Sequence, residues 1–482
     1  MELSRRDVLG SSLALLMGGV AATPANAQEN TYGAAPTGLG LTSELGRFLS
    51  GIRYEDLPPA AVHEAKRAVL DWIGCALAGS SHSTVNVLLA TFGDLGSVPV
   101  ATVLGRRGRR LSLLDAPVAN GQMGHVLDFD DTHLGGVILH TSTATLPALF
   151  ALGEWRKSSG RDVIVALTAA FEAGIRAGQA ASSHHLGGWH LTGTLGTVAA
   201  AAGAARLLRL DAQQITFALG IACTQAAGMQ QNRGSDCKSL HAGKSAYHGV
   251  LASMLASRGF NSSPEILEGS LGFTRIFSAT QQNSAITAGL GRTWMITGNG
   301  YKPYACGVVL HPLIDAMIDV SRKARQPATD IGRVEVRVHP DVIRITGIDT
   351  PSSGLMSKFS ANHAAAVAYI DQAAGVAQFT NERSADAAVQ ALRKLIQVTP
   401  DQSFRLDQAA AMVRTRAGAT YETQIAHATG TVANPMSDQA LRDKFLLNAT
   451  PAIGADQARR LIDTIERLDS LSDVGDLVRA CV

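Results

Sequence analysis

GHVLDFDDTHLGGVILHTSTAT, residues 124–145, is the stretch around which the rest of the chain is organised. An apolar helical pattern runs into three aspartates, Asp128, Asp130 and Asp131, meets a Gly135-Gly136 turn signal, and resumes as a helix after His140-Thr141-Ser142. Three histidines and three carboxylates crowd a space normally given to one loop. Aspartates do favour turns and helix ends, and Thr or Ser after a histidine is an ordinary N-cap. The chain as a whole is only 17% charged, however, so this segment is far more polar than its surroundings. It is both a break between helices and the first candidate for chemistry.

Outward from it, the 482 residues are enough for two or three domains with a large core. A hydrophobic fraction of 46% with only 5% aromatics, rich in Ala and Gly, predicts helices that approach closely over small side chains. The net charge of +2 gives no general attraction to polyanions, and no basic run is interleaved with aromatics, which argues against nucleic acid as a partner. Ser4-Arg5-Arg6-Asp7-Val8-Leu9 followed by a short apolar run and Ala25-Asn26-Ala27 is close to a twin-arginine signal over residues 1–27. The run is short and glycine-rich for a membrane span, and no later segment offers a better one. The expectation is an exported, periplasmic protein whose mature chain has no stable membrane insertion. Five cysteines follow no metal spacing and are odd in number; Cys75 and Cys223, among apolar helix residues, are expected to be buried thiols, and no disulfide framework is predicted.

From about residue 42 to 277 one helical pattern follows another, at 58–79, 111–127, 143–155, 161–181, 192–208, 212–229 and 238–258. After about residue 291 the character changes: 294–297, 334–338 and 421–425 look like strands, with helices between them and two more, at 441–447 and 455–471, behind. The reading is a mainly α protein, a large all-α domain at 41–290 with a smaller α+β lid domain at 291–435, and C-terminal helices at 436–475 returning to the first domain. A cleft between the domains is the default site.

Nine of the 14 histidines lie between His125 and His311, near element ends rather than along helix faces, which marks that half for the chemistry. Lysine is scarce, and Lys238, Lys244 and Lys302 fall in polar junctions, where an ammonium can titrate or hold a carboxylate. Lys238, His241 and Ser245 share one face at the start of a helix and point donors at an anion. His184, His185 and His190 match no familiar metal spacing, and HExxH, CxxC, GxSxG, GxxxxGK[ST] and a strand-bound GxGxxG are all missing. No metal is expected. What remains is acid–base chemistry on a small anion.

GHVLDFDDTH at 124–133, the HTS helix start at His140, GWHLTGTLGTVAAAAG at 188–203, KSLHAGKSA at 238–246 and YKPYACGVVLHP at 301–312 together resemble the MmgE/PrpD family. The family includes 2-methylcitrate dehydratase, cis-aconitate decarboxylase and iminodisuccinate epimerase. The resemblance, over about residues 41–471, implies a helical domain with an α+β lid, a homodimer, and catalysis without metal or organic cofactor. It implies site roles for Asp128 and Thr132, for His140 and His190, and for Lys238 and Lys302. His140 or a lysine would move the proton, while His190 and the remaining lysine bind carboxylate. With these, His140, Lys238, Lys302 and Asp128 form the expected catalytic set, and Thr132, His190, His241, Tyr304 and His363 the expected binding set. Three departures from cis-aconitate decarboxylase stand out: a longer loop between Thr132 and His140, Gly307 in place of a site histidine, and His363 in place of a site tyrosine. The expected function is a cofactor-independent lyase that removes a proton beside a carboxylate of a small di- or tricarboxylic acid, with dehydration first. The alternatives are epimerisation of an aminodicarboxylate, or a non-catalytic periplasmic carboxylate-binding protein.

Overall fold

The structure is a computed structural model that describes residues 37–482, so the signal read at residues 1–27 lies outside the described residues. It is mainly α. In the first half, α1 (Leu41–Gly51), α2 (Pro59–Gly79), α3 (Ser83–Asp94), α4 (Asp115–Val126), α5 (Thr141–Arg156), α6 (Gly160–Ala180), α7 (Leu191–Leu207), α8 (Ala212–Cys223) and α9 (Asp236–Ala256) share one apolar core. Small residues bring the backbones together. A Cβ on Gly121 of α4 would lie 2.5 Å from Cα of Gly243 on α9, closer than atoms tolerate, so a side chain there would force the two helices apart. Helix α6 is long and apolar enough to cross a membrane, yet 94% of its apolar window is buried, as in the core helix of a globular protein. Its start is fixed by a capping box, Ser159 accepting from the Asp162 amide while Asp162 accepts from that of Ser159, a device worth about 1 kcal/mol.

Two two-residue strands, β1 (Thr132–His133) and β2 (Asn299–Gly300), pair antiparallel and stitch the aspartate loop to the connection that leaves the helical half. The strand expected at 294–297 is instead a 3₁₀ turn, Met295–Gly298. Its backbone is diverted by side chains: the Met295 amide donates to Glu172 at 2.6 Å, and the Met295 carbonyl lies 3.0 Å from Nε2 of His133. Glu172 is itself held by the buried Arg176, which also donates to the carbonyls of Ala288 and Thr293.

The second core lies around a four-stranded sheet, ordered β4-β3-β5-β6, of β3 (Ile331–Val338), β4 (Ile396–Pro400), β5 (Ala409–Thr415) and β6 (Thr420–Ile425). β3 runs parallel to β4 and antiparallel to β5. Helices α10 (His311–Ala324) and α11 (Ala361–Asp371) pack against this sheet. The chain then returns: α12 (Asp438–Ile453) lies on α2, and Lys444 of α12 meets Asp71 of α2 at 2.6 Å inside the first core.

Candidate active site

Helix α4 ends at Val126, and the chain turns at once. Asp128 has φ +52°, a left-handed conformation that costs a non-glycine residue about 1–2 kcal/mol and is kept only where the surroundings hold it. Here they do. Nζ of Lys238, on α9, donates to its carboxylate at 2.9 Å, and Lys302, two residues beyond β2, donates to the other carboxylate oxygen and, at 3.1 Å, to the Asp128 carbonyl. The pairing of β1 with β2 is what brings Lys302 within reach across 174 residues of sequence. A side chain on Gly298 would strike the His133 ring at 2.6 Å and one on Gly300 the Gly430 carbonyl at 2.6 Å, so this crossing requires glycine.

His140 closes the loop as the residue that precedes α5. Its Nδ1 lies 2.9 Å from the Asp131 carbonyl, 3.0 Å from Oγ1 of Thr132 and 3.5 Å from the Asp130 carboxylate. Beside it, Nδ1 of His125 contacts Asp130 at 2.8 Å, and the two imidazole rings are 4.7 Å apart. His190 precedes α7 and contacts His241 of α9 through Nδ1 atoms 2.8 Å apart, so one of the pair donates and the other accepts. The structure thus brings Asp128, Thr132, His140, His190, Lys238, His241 and Lys302 together.

Tyr304 and His363, expected as binding residues, make their hydrogen bonds away from this cluster. The Tyr304 hydroxyl donates to Asp315 on α10, and the ring lines a separate cavity of about 1310 Å³ with Leu127, Phe129 and Gln378. His363, on α11, contacts the Gln378 carbonyl at 2.8 Å through Nε2 and packs against Phe379. Both serve the second core. Lys244 is a clamp, donating to the carbonyls of Gln225 and Ala227 at 2.9 Å each beneath the start of α7. His184 of the discarded metal trio sits among Trp189, Phe273 and Phe277. Sequence reasoning gave no role to His125 and Asp130, although both stand in the opening motif, or to the buried Lys358 and His311. For Lys358 the only signal was the scarcity of lysine.

Charge separates these groups. Burial alone would raise the Asp128 carboxyl, but Lys238 and Lys302, with His125 and His140 behind them, hold it well below the usual carboxylate range. Burial acts likewise on Asp130 and is overcome by His125 and His140. Burial and the nearby Asp71 push Asp131 well above that range, where Ser142 and Asn299 donate to it. Burial, reinforced by Lys302 and His125 and opposed by Asp130, drives His140 well below the ordinary imidazole value. His190 is depressed by burial and by Lys238. At neutral pH the site therefore holds uncharged imidazoles among fixed ionic pairs.

A cavity of about 470 Å³ has Thr132 and Lys302 in its wall, with Val137, Val308 and His311. The larger cavity meets the loop through Leu127 and Phe129. Among the described residues, His125, Asp130 and His140 form one trio whose ligand atoms lie within 4.8 Å of one another. Nδ1 of each histidine is already turned to an acceptor, and the charges of Lys302 and Lys238 fall on the trio. That donor set suits proton transfer better than a divalent cation.

The protein is thus a mainly α fold with a buried His–Lys–Asp cluster. Residues 43–285 match the MmgE/PrpD N-terminal domain and residues 304–470 the MmgE/PrpD C-terminal domain, and the chain belongs to this family. Cis-aconitate decarboxylase of Aspergillus terreus (strain NIH 2624 / FGSC A1156) is 27% identical over 469 residues, which cover 91% of this chain and 95% of that one. Cis-aconitate decarboxylase-like protein oryM of Aspergillus oryzae (strain ATCC 42149 / RIB 40) is 28% identical over 468 residues, 91% and 96% of the two chains. Cis-aconitate decarboxylase of Mus musculus is 27% identical over 462 residues, 91% and 93%.

Proposed function

We propose that this chain is a polycarboxylate lyase in which His140 is the base that removes a proton beside a carboxylate. One observation carries the assignment. A carbonyl oxygen can only accept, so the 2.9 Å contact between Nδ1 of His140 and the Asp131 carbonyl puts the imidazole hydrogen on Nδ1. In the neutral ring Nε2 then keeps its lone pair, and it has no hydrogen-bond partner among the described residues. Lys238 and Lys302 receive the substrate carboxylate and the enolate-like charge that develops, and Lys238 protonates a leaving hydroxyl, a role supported by its being the more exposed of the two. In dehydration the C–H pair becomes the new C=C bond, the C–O bond breaks, and water leaves. The second reading is decarboxylation, favoured by the names of the relatives. There the C–C pair of a departing CO₂ fills the same carbanion, which a lysine ammonium then quenches. No metal or organic cofactor has a step in either scheme. The reading extends to a homodimer and to export to the periplasm through the twin-arginine-type signal, the latter supported by residues 1–27 alone.

The test is proton NMR in D₂O on purified protein from Gln28 onward, with citrate-like, cis-aconitate-like, tartrate-like and aminodicarboxylate compounds. Hydrogen exchange with a new vinylic signal and loss of water supports dehydration. Release of CO₂ selects decarboxylation, and a stereoisomer alone selects epimerisation. Tight binding without exchange or turnover across the panel overturns the lyase in favour of a carboxylate-binding protein.

A further inference from the structure

Three consecutive carbonyls in the turn that carries Asp128 each receive an ammonium from a different part of the chain. The Leu127 carbonyl accepts from Lys358 at 2.7 Å, that of Asp128 from Lys302 at 3.1 Å, and that of Phe129 from Lys444 at 2.7 Å. Lys302 and Lys444 each also hold a carboxylate, Asp128 and Asp71. Lys358 holds none. Its second acceptor is the Ala305 carbonyl at 2.7 Å, its ammonium lies 5.1 Å from the centre of the Phe379 ring, and the residue is 3% exposed. A buried ammonium without a counter-ion is costly, and an apolar side chain would fill the space more cheaply. Two carbonyls are, however, what the two N–H groups of an uncharged amine can serve. Burial lowers Lys358 to about 8, with Lys302 and Lys238 also lowering it and Asp128 and Cys306 opposing, so both protonation states keep the two contacts.

The position of the contact matters more than its charge. The Leu127 carbonyl belongs to the peptide plane on the N-terminal side of Asp128, and rotation of that plane sets the Asp128 φ. The Asp128 carbonyl belongs to the plane on the other side, and Lys302 holds it. We propose that Lys358 is a positioning residue for Asp128: it gathers the carbonyls of Leu127 and Ala305 onto one atom, and so fixes the left-handed turn at Asp128 against the segment that carries Lys302. Lys358 comes from the chain just before α11, so the second core contributes to the geometry of a site built on the first. The inference rests on reading Asp128, Lys238 and Lys302 as the working centre.

Lys358→Met in the full chain tests it, with ¹H–¹⁵N spectra of the lysine ammonium groups in lysine-labelled protein and turnover of cis-aconitate as the probe. The expected result is a folded variant in which the Lys238 and Lys302 signals are displaced and that of Lys444 is not. Where the parent turns over the probe, kcat falls by about 100-fold, the scale on which a misplaced catalytic group acts. Lys238 and Lys302 signals at their parental positions, or a parental kcat, overturn the proposal. Should Lys358→Met fail to fold, Lys358→Arg, which keeps the donors but alters their reach, takes its place, with displaced signals required and parental ones decisive against. The spectra do not depend on turnover, so a parent that converts no polycarboxylate defeats the functional reading while the role of Lys358 is still decided.

Discussion

Asp128 and Asp71 flank the same loop, and each is a buried carboxylate held by lysine, yet their charges are arranged to opposite ends. Asp71 has one ammonium, Lys444, on one oxygen, and its other oxygen has no partner. Burial, helped by the charge of Asp130, outweighs Lys444 and lifts the Asp71 carboxyl above its ordinary value. Asp128 is as deeply buried but has two ammoniums and two imidazoles around it, and its carboxyl falls well below the ordinary value. A single ion pair in a dry interior does not recover the desolvation of its members, whereas a second cation reverses the balance. On the proposed function, the Asp71 pair belongs to the scaffold and the Asp128 cluster to the chemistry.

The hardest blow to that contrast comes from the cluster side. His140→Ala removes an imidazole whose Nδ1 is held by the Asp131 carbonyl and whose Nε2 is free, and loss of a general base costs roughly 10²–10⁴-fold in rate. Hydrogen exchange into substrate in D₂O should vanish while the melting temperature shifts little. Parental exchange in this variant would remove His140 from the mechanism.

Lys444→Met cuts the scaffold side. It strips Asp71 of its only cation and frees the Phe129 carbonyl, and breaking a buried pair in this way costs about 3–5 kcal/mol. Denaturant unfolding should register that loss, whereas the folded fraction should keep kcat within a few-fold of the parent. A large fall in kcat at unchanged stability would move Lys444 into the working centre and erase the distinction.

The pH profile sharpens it further. Burial together with Lys302 and His125 holds His140 below its ordinary 6.5, so the base stays unprotonated as the pH falls through 6.5. The acid limb of kcat should therefore lie below pH 6.5. Burial lowers Lys238 from 10.5 against the pull of Asp128, so loss of its proton places the alkaline limb below 10.5. A half-maximal rate at pH 6.5 or above on the acid side would show that a freely titrating imidazole is in charge.

Much of this arrangement was legible in the sequence, and the exceptions have physical causes. The helices of the first half could be read because small and apolar residues recur at helical spacing, and the polar break at 124–145 stood out against them. β5 carries no strand signal in sequence, because AAAMVRT is alanine-rich and its burial on alternate residues becomes visible only beside β3. The turn at Met295 looks like a strand in sequence because WMIT has strand composition, while Glu172 and His133, which redirect its backbone, lie more than 100 residues away. Lys238 and Lys302 were found through motif residues around them. Lys358 was not, since its partners are backbone carbonyls and no side-chain pattern announces them.

Tyr304 offers the mildest test of where the cluster ends. It is two residues from Lys302 and belongs to the same motif, so proximity in sequence would give it a share in the chemistry. Its hydroxyl instead donates to Asp315, which also accepts from the Thr429 amide at 2.7 Å and thus keeps one donor when the phenol is gone. Tyr304→Phe should lower stability by about 1 kcal/mol, the usual net worth of one hydrogen bond, and leave kcat and KM within about threefold. A drop in kcat comparable to that of His140→Ala would mean that the working centre reaches around Lys302 to the larger cavity, and that the wall drawn at Leu127 and Phe129 is in the wrong place.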